Sequence, residues 1–114
     1  MRKRESKLYL EDIIQSIDSI LNYTKGLTGK KFAENNMVID AVVRNLEIIG
    51  EASKNVPAEI KSSHTDIPWK EMAGMRDKVI HEYFGVDIDI VWATITNRLC
   101  KLKPLIIKIK SSIK

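Results

Sequence analysis

At 114 residues the chain suits one domain with one modest core, and 44% hydrophobic with 30% charged residues is a globular balance, not a disordered one. A formal net charge of +4 admits a polyanionic partner without requiring one. A single cysteine excludes an intrachain disulfide, and three prolines and five glycines leave few breakers, which favours long helices over many short strands.

The basic start Met1-Arg2-Lys3-Arg4 is followed by no long apolar run, because Glu11, Asp12, Gln15 and Asp18 interrupt Leu8 to Leu21. We therefore expect neither a signal peptide nor a membrane span, and a cytoplasmic protein. Leu10, Ile13, Ile14, Ile17, Ile20 and Leu21 recur at helical spacing, which predicts an amphipathic helix from Lys7 to Lys25 with Gly26 as its stop. Thr28-Gly29-Lys30 reads as a loop. A second helix is predicted over Phe32 to Asn55, where Val38, Val42, Leu46 and Ile49 form a stripe that Met37, Ala41 and Ile48 widen. An arc this broad predicts a helix covered on more than one side.

Pro57 should start a short helical turn, and His64 to Ile67 connect it to a third helix opened by Pro68, running through Trp69, Met72, Met75 and Val79. That helix should end near Phe84-Gly85. Asp87 is a natural cap for a last helix carrying Ile88, Val91, Trp92, Ile95, Leu99 and Leu102, where Pro104 should kink or interrupt the backbone. Cys100 is expected as a reduced core thiol, and Leu105 to Lys114 as a frayed turn or two. Four principal helices with short extra turns make an all-α, up-and-down four-helix bundle the simplest packing, in a single domain over residues 1–114.

Several kinds of chemistry lack their residues. The glycines are scattered, so there is no phosphate-cradling loop, and His64, His81 and one Cys show no zinc-ligand spacing. No cofactor and no metal are expected. The informative stretch is Gly74-Met75-Arg76-Asp77-Lys78-Val79-Ile80-His81-Glu82-Tyr83-Phe84-Gly85. Arg76 supplies a fixed cation and His81 a group that titrates near neutrality. RNA cleavage by its own 2′-hydroxyl needs both: a base for the 2′ proton, and a cation for the charge growing on phosphorus. Arg76 and Tyr83 share a helix face, whereas Arg76 and His81 are separated by roughly 140° on an ideal helix. One straight helix cannot bring both to one phosphate, so the helix must distort near His81 or a second copy must complete the cleft. By itself, the pair is a weak signal and reads more readily as a surface Arg beside a half-buried His.

The wider context is more specific. Arg76, His81 and Tyr83, as R-x4-H-x-Y, resemble the motif of HepT toxins in the HEPN superfamily. Ile67-Pro68-Trp69-Lys70-Glu71-Met72-Ala73-Gly74 resembles the family's approach to that motif, and Val86-Asp87 with Ile90-Val91-Trp92 its exit. Arg44-Asn45-Leu46-Glu47-Ile48-Ile49-Gly50-Glu51-Ala52 is similar to its second-helix signature. The resemblance implies a HEPN-like helical bundle that forms a homodimer, with the motif segments lining a cleft between protomers. It implies an endoribonuclease whose catalytic pair is Arg76 and His81, with Asp77 orienting them, acting as the toxin of a type VII toxin–antitoxin system. It further implies that a partner MNT-type nucleotidyltransferase antitoxin adenylylates Tyr83, where added phosphate beside Arg76 would occupy the substrate's place.

Other residues keep two readings. Arg44 and Glu51 share a face of the second helix with Glu47 between them, either holding RNA phosphate and steadying Arg76 or forming an interhelical, buried ion-pair cluster. Lys30, Lys31, Lys101, Lys103, Lys108 and Lys110 are either an RNA-guiding surface or solvated helix sides. Trp69 and Trp92 suit the core or a dimer interface better than base stacking. Two alternatives to the ribonuclease stand: a non-catalytic helical binding subunit of a two-component nucleotidyltransferase, and a helical scaffold without chemistry.

Overall fold

The computed structural model describes residues 3–74 and 88–113, with side chains from residue 6 onward. Every regular element among them is helical. Helix α1 spans Lys3–Thr24 and ends as expected at Gly26, whose φ of 78° is the left-handed conformation that glycine adopts without strain. Leu10, Ile13, Ile17 and Ile20 are fully buried, so the predicted stripe is the seam that α1 turns to the core. Burial of each such side chain contributes about 1.5–3 kcal/mol.

The expected loop at Thr28 to Lys30 is instead the start of a short helix, α2, over Gly29–Ala33. Thr28 caps it, its Oγ1 accepting the Lys31 amide at 3.1 Å, and Phe32 is fully buried. The long second helix, α3, therefore begins at Asn36, not Phe32, and runs to Asn55, with Asn35 Oδ1 accepting the Val38 amide at 3.1 Å. Two capping residues seven positions apart divide what reads as one continuous pattern. Val42, Leu46 and Ile49 are buried in α3, but Met37 is 81% exposed and Ile48 only half-buried. The buried set, Val42, Val43, Leu46, Ile49, Gly50 and Ala52, spans about half the circumference of α3, which among the described residues packs on α1 and α2.

Pro57 precedes α4, Ala58–Ser63, as expected. Residues 69–74 are helical and are labelled α5; the segment's predicted end near Phe84-Gly85 and the Asp87 cap lie outside the described residues. Helix α6, Ile88–Thr94, passes through a π-helical turn, Ile95–Leu99, into α7, Cys100–Ser112. Buried Val91, Ile95 and Leu99 are spaced four and four, one residue more than two α-turns hold, and the π turn absorbs the excess.

Pro104 does not interrupt α7, and it is exposed, so the carbonyl it leaves unbonded can face water. Two other expectations for this region fail. The tail is helical to Ser112, because Ile106 and Ile109 are buried and hold it down. Cys100 is exposed, since Ile95, Leu99 and Leu102 take the inward stripe and the next residue after Leu99 is turned away by about 100°.

Helix α1 is the hub, packed against α3 on one side and α7 on the other. Lys103 pairs with Asp18 and Lys110 with Glu11, which runs α7 antiparallel to α1. Tyr9 and Asp12 near the start of α1 share a recess with Ile48 to Asn55 near the end of α3, so that pair is antiparallel as well. Among the described residues the packing is all-α, and α1, α3 and α7 alternate in direction as expected of an up-and-down bundle.

Candidate functional site

Arg76, Asp77, His81 and Tyr83 lie outside the described residues. What the structure shows is how the chain is held on either side of them. On the approach, Ile67, Trp69 and Met72 are buried, and the Trp69 indole Nε1 donates to the His64 carbonyl at 3.0 Å. On the exit, Val91 is buried and Trp92 packs on Phe32, with ring centroids 5.1 Å apart and planes at 32°. A Cβ on Gly29 would stand 3.1 Å from Trp92 Nε1, so the absence of a side chain there lets the indole approach α2. Both tryptophans therefore anchor the segment to the core, as their apolar surroundings suggest.

Helix α3 brings Arg44, Glu47 and Glu51 to one face, as their spacing requires. With Tyr9 and Asp12 of α1 and with Ile48, Ala52 and Asn55, they line a recess of about 370 Å³. Arg44 Nη1 is 3.9 Å from Glu47 Oε2, and the two side chains are 72% and 29% exposed. For Arg44 and Glu47 this corrects the expectation of a buried pair. The contact is a loose pair within α3, neither buried nor interhelical, because the inward stripe of α3 is taken by Leu46 and Ile49 and leaves Arg44 on the solvent side. An exposed guanidinium on the wall of a recess keeps its donors available for an outside anion. Tyr9, Asp12 and Asn55 carried no signal in the sequence, since only the antiparallel register of α1 on α3 places them beside Arg44.

The lysines divide as well. Lys103 and Lys110 reach across to Asp18 and Glu11 of α1, the latter at 3.2 Å, whereas Lys30, Lys31, Lys101 and Lys108 are exposed. Among the described residues no three His, Cys, Asp or Glu side chains are grouped to hold a metal, and no helix is long and apolar enough to cross a membrane.

Residues 13–109 match the model of the HepT-like ribonuclease family. The chain belongs to that family. It is 48% identical over 101 residues to a Thermococcus cleftensis protein assigned as ribonuclease HepT, an alignment covering 89% of this chain and 92% of the relative. A Methanocaldococcus jannaschii protein assigned as an RNase is 47% identical over 103 residues, covering 90% of this chain and 85% of that one. A second protein of that organism, whose name joins a gamma-glutamylcyclotransferase to an RNase, is 45% identical over 94% of this chain but only 48% of its own length. No solved structure matches. As a HepT-like ribonuclease, the chain has its R-x4-H-x-Y residues between two anchored flanks, Ile67 to Met72 before them and Val91-Trp92 after them.

Proposed function

We propose that this chain is an endoribonuclease toxin of a type VII toxin–antitoxin pair, in which Arg76 and His81 cleave RNA without a metal. His81 takes the proton from a ribose 2′-hydroxyl, and the 2′-oxygen attacks the adjacent phosphorus. The bond from phosphorus to the 5′-oxygen breaks, the 5′-oxygen receives a proton, and a 2′,3′-cyclic phosphate remains. Arg76 faces the negative charge that gathers on the phosphoryl oxygens at mid-reaction. Asp77 orients the pair.

The observation that carries this reading is the family match over residues 13–109 together with an intact Arg76, His81 and Tyr83. Because roughly 140° separates Arg76 from His81 on a straight helix, the site is assigned to a homodimer cleft. The 81% exposure of Met37 on α3, on the same face as half-buried Ile48, supports such a second copy. Arg44 and Glu51 are supporting residues, Arg44 as a second contact for substrate phosphate. An MNT-type nucleotidyltransferase antitoxin silences the enzyme by adenylylating Tyr83.

Unmodified protein incubated with RNA and a chelator tests the chemistry. The wild type should cut, and His81→Ala should lose at least 100-fold, in line with the ~10²–10⁴ attributed to a general base. Undiminished cutting by His81→Ala overturns the assignment. Absence of cutting by the wild type favours the nucleotidyltransferase-subunit alternative. Incubation with the antitoxin and ATP should add one AMP by mass, an addition abolished by Tyr83→Phe.

A further inference from the structure

The cations of the last helix are not distributed evenly between partners and solvent. From Ile90 to Lys114 the chain has no Asp or Glu, yet carries Arg98, Lys101, Lys103, Lys108, Lys110 and Lys114. Lys103 and Lys110 turn towards α1 and are neutralised there by Asp18 and Glu11. Arg98, Lys101 and Lys108 are exposed and have no acidic partner among the described residues.

These three share one side of the molecule. Lys101 and Lys108, seven residues apart, lie on one face of α7, and Arg98 precedes Lys101 by one turn. The eleven residues from Arg98 to Lys108 place the three backbone positions within roughly 15 Å along the helix axis. A face of one sign repels itself and concentrates anions, and a polymer with regularly spaced negative charges relieves several cations at once. The face is also continuous in the chain with the reactive segment: Arg98 lies in the π turn that follows α6, and α6 follows the residues carrying Arg76 and His81.

We propose that Arg98, Lys101 and Lys108 form a docking track for the phosphate backbone of RNA, outside the cleavage site and indifferent to base identity. The identity of the polyanion rests on the ribonuclease reading; the track itself rests on the charge geometry. Its consequence is a preference for long substrates over short ones that cannot reach α7.

Two variants with the same net charge separate this from a general charge effect. Lys101→Gln with Lys108→Gln removes two track cations, and Lys103→Gln with Lys110→Gln removes two that are already paired. The probe is a long 2′-O-methyl oligonucleotide, which binds but lacks the nucleophile, so binding is read independently of cleavage. Relative to wild type, the track variant should bind on the order of tenfold more weakly, with a log–log salt slope shallower by about 1.4. The paired-lysine variant should lose much less. Cleavage of a dinucleotide should be the same for both variants, and their melting should match the wild type. Equal weakening in both variants overturns the track, as does unchanged binding in the track variant. Wild-type binding to anionic lipid vesicles, with none to the oligonucleotide, also overturns it. Track-dependent binding by a chain that cuts no RNA would remove the ribonuclease reading and leave the track standing.

Discussion

Along its α7 edge, helix α1 meets facing lysines with its own carboxylates, Asp18 to Lys103 and Glu11 to Lys110. Along its α3 edge, Arg44 pairs instead with Glu47 of its own helix, over a recess of about 370 Å³. The α7 edge has a recess too, about 470 Å³ between Asp18, Ser19, Leu21, Asn22, Lys25 and Lys103, but an interhelical ion pair stands in its wall. Pairs that cross between helices fix register and use up charge. A pair that stays within one helix leaves its cation turned to solvent, where an outside anion can reach it. One edge of α1 is thus closed by ion pairs between helices, and the other leaves the Arg44 guanidinium in the open.

Four experiments probe this contrast and the packing beneath it. The largest effect should come from neither set of charges but from the apolar seam beneath both. Ile17→Ala, at a fully buried position, should destabilise the fold by about 2–5 kcal/mol in denaturant unfolding. A cost below that of breaking an ion pair would mean that charge, not burial, holds α1 in place. Next, Gly29→Ala presses a methyl group to within 3.1–3.2 Å of the Trp92 indole and should cost about 1–3 kcal/mol. Trp92 fluorescence should shift with it, and Trp92→Leu should relieve the clash.

Smaller still is the α7 edge itself. A double-mutant cycle on Asp18 and Lys103, whose side chains are 49% and 36% exposed, should give a coupling of about 0.2–1 kcal/mol that fades with added salt. The smallest effect on stability belongs to the α3 edge. Arg44→Gln should move unfolding by no more than about 0.5 kcal/mol, because the pair it breaks is loose and solvated. If Arg44 contacts substrate phosphate, the same change raises KM for RNA while stability holds. A large loss of stability without a change in KM would return Arg44 to a structural role.

Much of the bundle can be read from apolar spacing alone. Ile13, Ile17 and Ile20 mark the inward face of α1, Val42, Leu46 and Ile49 that of α3, and Leu99 and Leu102 that of the π turn and α7. Local chemistry that runs against simple patterning is harder to read. Gly29-Lys30-Lys31 looks like a turn, yet the Thr28 cap and the burial of Phe32 under Trp92 make it helical. The four-and-four spacing of Val91, Ile95 and Leu99 does hold the π turn, but only burial shows that all three face inward. The Arg44, Glu47 and Glu51 face followed from helical spacing. Whether those charges met partners across helices did not, because that depends on the register of α1, and pairing at a distance leaves no local mark in a sequence. Arg76, His81 and Tyr83 stand out by resemblance and by the chemistry of a guanidinium and an imidazole, and of that segment only the flanks lie among the described residues.

The most direct test of the central claim is the chemistry of the cut ends. RNA digested by unmodified protein in the presence of chelator should carry 2′,3′-cyclic phosphates and 5′-hydroxyls, and a 2′-deoxyribose placed at a cut position should abolish cleavage there. Products with 3′-hydroxyl and 5′-phosphate ends, or cleavage on the 3′ side of a deoxyribose, would contradict attack by the neighbouring 2′-oxygen and with it the roles given to Arg76 and His81.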